Sequence, residues 1–156
     1  IPTECREAIG NRVFGCDACL AVCPWNRSAK TASEARLAAH GHLAAPKLAE
    51  LSRLDDAAFR TAFAGTPVKR TGRDRFLRNV LIAIGNSGRP ELAREAVRAL
   101  SDAAPLVRGM AVWACGRLLP AADLAALRAR HGAAEADPHV LAEWGAAPAP
   151  PERRSA

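Results

Sequence analysis

Tyrosine is absent from this chain, methionine occurs once, at Met110, and the aromatic complement is four Phe and three Trp. Runs of β-branched residues are almost missing as well. A core must therefore be packed from Leu and Ala between helices, and the expected fold class is mainly α. No apolar stretch approaches the roughly 20 residues needed to cross a bilayer, which excludes a membrane-spanning helix. The chain does not open with the charged head, apolar middle and small-residue cleavage site of a signal peptide. Residue 1 is Ile, not Met, and the natural amino terminus is expected to lie upstream. At 156 residues the chain suffices for one domain but is short for a redox enzyme that must also hold a substrate. It is expected to be part of a larger catalyst, and no residue is assigned a catalytic role.

What is present is a cluster of thiols. Three of the five cysteines fall in Cys16-Asp17-Ala18-Cys19-Leu20-Ala21-Val22-Cys23-Pro24, a CxxCxxxCP run. In the bacterial ferredoxin run CxxCxxCxxxCP, three thiolates hold one cubane and the fourth, just before the proline, serves the other cluster. Here the first cysteine of that run is replaced by Val13. Three thiolates cannot close a four-cysteine cubane, so ligands from elsewhere are required. Gly15 lets the backbone pass close to a cluster, where its N–H groups can bond inorganic sulfide. Thiols so spaced fit a reducing cytoplasm better than a disulfide framework. Cys5 is expected to be a non-ligand, and Cys115, within Met110-Ala111-Val112-Trp113-Ala114-Cys115, a small buried core residue.

The net charge is +6, and nineteen of the twenty-two cations are arginine. Such a balance suits an anionic partner, and it also suits solvated helix faces in an Arg- and Ala-rich composition. Distribution adds to this. Lys69, Arg70, Arg73, Arg75 and Arg78 place five cations within ten residues, against one acid, Asp74. The pattern predicts a loop entering a helix, where guanidinium groups and free backbone N–H groups face one side, a geometry suited to phosphate. The same arginines could simply solvate the helix entrance.

Four segments are expected. Residues 1–30 carry a short helix begun by Pro2 and ended by Gly10-Asn11, then the cysteines. Residues 31–67 form a linker and short helices: one spans Leu48, Leu51 and Leu54, and the next is capped by Asp55, with Phe59 and Phe63 on one face and Gly65 at its close. In residues 68–147, Phe76, Leu77, Val80, Leu81 and Ile84 make an apolar stripe stopped by Gly85-Asn86-Ser87-Gly88, followed by a stripe of Leu92, Ala96, Val97 and Leu100. About thirty residues on, Leu106, Val107, Met110 and Ala114, then Leu124 and Leu127, repeat the pair, with Arg78 and Arg108 in matching places. That period predicts a HEAT-like helical repeat. Asp137-Pro138 begins a last helix carrying Val140, Leu141 and Trp144, and residues 148–156 read as a disordered tail.

The segment Ile9-Gly10-Asn11-Arg12-Val13-Phe14-Gly15-Cys16-Asp17-Ala18-Cys19, with Val22-Cys23-Pro24-Trp25-Asn26-Arg27, Phe59, Gly65-Thr66-Pro67, Lys69-Arg70 and the run from Arg75 to Asn86, resembles the carboxy-terminal half of the epoxyqueuosine reductase family. The resemblance covers most of the chain. It implies an oxidoreductase of queuosine biosynthesis that depends on cobalamin and two 4Fe-4S clusters and reduces epoxyqueuosine to queuosine at the tRNA wobble position. It further implies that cobalamin and the acidic proton donor belong to an amino-terminal domain not contained here, as do the first CxxCxxCxxxCP run and a further cysteine. By position, Cys16 and Cys19 would ligate one cubane and Cys23 would cross to the other, making residues 1–30 the second half of a ferredoxin-like module. Lys69, Arg70, Arg73, Arg75 and Arg78 would contact phosphates of the tRNA anticodon arm. The partners implied are that arm, the cobalamin-binding domain and an external electron donor. The expected protein is a cytoplasmic monomer, inactive as this fragment alone.

Two other readings stand beside it. One is a HEAT-like interaction module with a structural zinc on Cys16, Cys19, Cys23 and either His40 or His42, a pair that reads equally as solvated loop histidines. The other keeps the cubanes in an electron-transfer segment of a different cobalamin-dependent reductase.

Overall fold

The computed structural model describes residues 1–30, 41–43 and 45–147. Residues 31–40 of the expected 31–67 segment, His40 among them, and the tail at 148–156 lie outside the described residues, as does the side chain of His42. Among the described residues the structure is helical and contains no strand. The helices are α1 (Thr3–Ile9), α2 (Ala18–Ala21), α3 (Leu48–Leu51), α4 (Asp56–Ala62), α5 (Arg73–Asn86), α6 (Ala93–Ala99), α7 (Pro105–Leu118), α8 (Ala121–Leu127) and α9 (Pro138–Ala146).

Helix α7 is the axis of the body and packs against α5, α6 and α9. Every residue from Gly109 to Gly116 is buried, the pattern of a helix enclosed by neighbours on all sides. Helix α5 lies beside it and contributes Phe76, Leu77, Val80, Leu81, Ile82 and Ile84 to the core. At the near end of α5, Phe76 meets Phe59 and Phe63 with ring centroids 5.3 and 4.8 Å apart, both tilted. Such tilted aromatic contacts add stabilisation beyond the area they bury. The short α4 is therefore joined to the core of the longer helices.

Local signals explain three of the helix ends. The Asp55 carboxylate accepts from the Ala58 amide at 2.7 Å, and Asp137 accepts from the His139 and Val140 amides, each satisfying otherwise orphaned donors. Gly10 closes α1 at a φ of 62°. Three expectations are corrected. Leu54 falls beyond α3, which is a single turn. Leu106 is 42% exposed and does not join the apolar stripe of α7. Gly85 does not stop α5, which runs on to Asn86; it is a point of close approach between α5 and α7. A Cβ at Gly85 would lie 2.5 Å from Trp113 Cζ3 and 3.2 Å from the Ala114 Cα. The glycine serves packing there, and the chain turns only afterwards, at Gly88 with φ 63°.

Cys115 is fully buried on α7, and burial pushes its thiol up to about 12. It is a packing residue, inert as a nucleophile or ligand at neutral pH.

Candidate cysteine site and basic surface

After Gly10 the chain runs as a loop to Asp17. Gly15 adopts φ 61°, with no atom within 4 Å of the place a Cβ would take. Asp17, the one non-glycine residue at positive φ among those described, has φ 51°. Its carbonyl accepts from the Leu20 and Ala21 amides at 2.9 Å each, starting α2. Cys16 thus precedes the helical turn, Cys19 rides on it, and Cys23 follows in extended backbone before the 3-10 turn Pro24–Ser28. The Asn26 side chain donates to the Leu20 carbonyl at 2.7 Å and folds that turn back against α2.

Cys16 and Cys19 are exposed and Cys23 is half-buried. Among the described residues no group of three or more His, Cys, Asp or Glu side chains is gathered to hold a metal ion. The three thiols share one short segment without converging on a common point. Their donor chemistry, soft thiolates beside an open glycine, fits an iron–sulfur centre, and their number leaves it incomplete. Around them Phe14, Leu20, Val22 and Trp25 are exposed by 47, 53, 80 and 89%. An apolar skirt of this kind marks a surface built to be covered.

Helix α5 holds this segment in place. The Asn79 amide donates to the Val13 carbonyl at 2.9 Å. Seven residues on, and so on the same face of the helix, the Asn86 amide donates to the Arg6 and Gly10 carbonyls at 2.8 and 3.0 Å. Arg6 is itself buried and forms a two-pronged pair with Glu143 of α9, at 2.8 and 2.5 Å. Its guanidinium lies 5.7 Å from the centre of the Trp113 ring, within cation–π range. Arg117 pairs with Glu7 at 2.5 Å. None of these anchors is apparent from sequence spacing. Arg6 and Glu143 are 137 residues apart, and Asn79 carried no signal beyond its place in the RFLRN run.

A groove of about 610 Å³ lies between the cysteine loop and α5, with Cys5, Gly15, Cys16, Arg78 and Asn79 among its walls. Cys5 thus lines the same groove as Cys16.

The five basic residues divide. Lys69 and Arg70 are exposed on the 3-10 turn Pro67–Thr71, and Arg75 is exposed in the first turn of α5. Cations at a helix N-terminus oppose the helix dipole, so the fold gains nothing from their placement. Arg73 differs. Its guanidinium pairs with Asp102 at 3.1 and 2.6 Å and donates to the Leu54 carbonyl at 3.0 Å. The Asp102 hydrogen bond raises the Arg73 pKa further. Arg73 is an internal tie between α5 and the loop before α7, with all three of its guanidinium nitrogens engaged within the protein. Arg78 is half-buried and donates through Nε and Nη2 to Asn79 Oδ1 at 3.1 and 2.9 Å. Its repeat partner Arg108 instead pairs with Glu135 at 2.7 and 2.8 Å.

No protein-family model matches the chain. It is 40% identical over 116 residues to the epoxyqueuosine reductase of Xanthomonas campestris, an alignment covering 73% of this chain and 32% of the relative. The epoxyqueuosine reductase of Escherichia coli K12 is 35% identical over 114 residues, covering 73% and 30%. Among solved structures, a crystal structure of epoxyqueuosine reductase with an epoxyqueuosine-modified tRNA-Tyr stem loop superposes with a TM-score of 0.83 and 26% identity, over 92% of this chain and 38% of that one. The chain spans about a third of the length of the curated relatives it matches.

Proposed function

The chain belongs to the epoxyqueuosine reductase family, of whose members it spans about a third, and on that premise we propose that it is the iron–sulfur and tRNA-gripping portion of an enzyme reducing epoxyqueuosine to queuosine in tRNA. In this reading residues 1–30 are the second half of a two-cluster ferredoxin-like module. Cys16 and Cys19 serve one 4Fe-4S cluster, Cys23 serves the other, and the remaining ligands come from upstream sequence. Cobalamin is held by an amino-terminal domain. Reducing an epoxide consumes two electrons, which the clusters would relay singly from an external donor to the cobalamin.

This chain's own residues present the thiolates and hold the tRNA. The observation that carries the proposal is the fixing of the cysteine segment to α5 by Asn79 and Asn86, which leaves two of the three thiols outward within an apolar skirt. That surface suits coverage by the part of the enzyme that contributes the other ligands. The helix pairs α5–α6 and α7–α8 form the HEAT-like repeat of residues 68–147. Lys69, Arg70 and Arg75 contact phosphates of the anticodon arm, with Arg73 acting instead as a structural tie. A solved relative in complex with a tRNA stem loop supports tRNA as the partner. The protein acts as a cytoplasmic monomer.

The test uses the full-length gene product. It is expected to convert epoxyqueuosine in tRNA to queuosine under reducing conditions with cobalamin. Arg70→Glu combined with Arg75→Glu should weaken tRNA affinity and lower the salt slope by about two, one for each phosphate no longer neutralised. Turnover with an unchanged affinity and salt slope in the double variant would remove this basic surface from the tRNA interface.

A further inference from the structure

Arg78 stands apart from the arginines that tie the body together. Arg6, Arg53, Arg73 and Arg108 each form an ion pair with a carboxylate. Among the described residues no carboxylate pairs with Arg78, although its side chain is half-buried. Its hydrogen bonds go to the neutral Asn79 side chain, which in turn donates to Val13, three residues before Cys16. Arg78 and Cys16 both line the groove, whose other charged residues are Glu4 and Arg12; neither forms an ion pair with Arg78. Burial, and then the charge of Arg75, lower the Arg78 pKa from the ordinary arginine value, and arginine remains a cation at neutral pH. A fixed, partly desolvated positive charge without a counter-ion is costly to keep. It is well placed if a negative group occupies the groove's cysteine wall.

We infer that Arg78 tunes the reduction potential of the iron–sulfur centre that Cys16 serves, its uncompensated charge favouring the reduced form of the cluster. The inference rests on the iron–sulfur reading of the cysteine segment. Reduction adds one electron from a low-potential one-electron donor to the cluster and makes it one charge more negative, with no bond formed or broken. Net charge, hydrogen bonding and exposure are the levers that set such potentials. Asn79 supplies the orientation, because its Oδ1 fixes the guanidinium while its amide fixes the loop. Arg78 is thus a positioning residue for electron transfer, set on the wall it shares with Cys16.

The experiment is an anaerobic redox titration of the reconstituted full-length protein, followed by electron paramagnetic resonance, for the native sequence and for Arg78→Gln, Arg78→Met and Arg78→Lys. Iron and sulfide contents are measured first. Equal loading, with one midpoint moved negative in both neutral variants, is the expected result. A tenfold loss in the reduced-to-oxidised ratio at fixed potential corresponds to about 59 mV for one electron. Arg78→Lys should restore most of the native value, since it keeps the charge and loses the paired hydrogen bonds. Equal loading with unchanged midpoints would overturn the inference. A shift in Arg78→Lys as large as in the neutral variants would also overturn it, by tracing the effect to geometry. A native protein that binds no iron would instead refute the iron–sulfur reading itself, and the inference with it.

Discussion

The side-chain amide of Asn79 donates to the backbone carbonyl of Val13 across 2.9 Å, tying α5 to the loop that delivers Cys16. Asn86, two turns along the same helix, repeats the device on the Arg6 and Gly10 carbonyls. A helix of the core thereby sets the position of a segment that has little core of its own. From Gly10 to Lys30 no residue is fully buried.

Asn79→Ala should loosen this segment while leaving the helical body folded. The lost hydrogen bond and the unsatisfied Val13 carbonyl together amount to about 1–2 kcal/mol. Hydrogen exchange should speed up across residues 11–23 much more than in α7. Uniform acceleration, or none, would show that the loop is held by other means.

Gly85→Ala opposes two effects. In a helix interior Ala is favoured over Gly by about 1 kcal/mol, but the added methyl would meet the Trp113 ring at 2.5 Å. Overpacking of this kind costs about 1–3 kcal/mol, and backbone on the far side, at Ala114, leaves little room to yield. Net destabilisation in urea unfolding is expected. A more stable variant would mean that α5 and α7 separate freely at their crossing.

This glycine shows where sequence patterns reach their limit. Gly85-Asn86-Ser87-Gly88 carries every local mark of a helix stop, and the stop comes later than the first glycine because Trp113, on another helix, requires a residue without a side chain. Arg73 is similar: among its basic neighbours it looks like a phosphate contact, and only Asp102, 29 residues away, makes it a structural tie. Short-range chemistry was legible. The caps at Asp55 and Asp137, the end of α1 at Gly10, the shared face of Phe59 and Phe63 and the burial of Cys115 all follow from local rules. Asn79, Asn86 and the Arg6–Glu143 pair depend on which helices meet, and no periodicity encodes that.

Acid should destabilise the body through its arginine-paired carboxylates. The hydrogen bond from Arg108 holds Glu135 down to about 2, against an ordinary value of 4.5. Glu95, 1% exposed and bonded first to Arg53, is lowered too. A carboxylate with a depressed folded-state pKa gives stability that is complete above its unfolded value and is lost as pH falls toward the folded one. Stability should therefore be level from neutrality to about pH 5 and fall between about 4.5 and 2. Glu135→Gln should flatten part of that decline. Thermal unfolding across the pH series provides the readout, and an identical decline in the variant would separate Glu135 from acid sensitivity.

In the proposed function this chain supplies thiolates to two iron–sulfur clusters. Iron, sulfide and zinc should be measured in the anaerobically purified full-length protein and in its Cys16→Ser, Cys19→Ser and Cys23→Ser variants. The native protein should hold two four-iron clusters. Each variant should lose about half of the iron, with Cys23→Ser depleting the opposite cluster from the other two. Full iron content in all three variants, or stoichiometric zinc in place of iron, would contradict it.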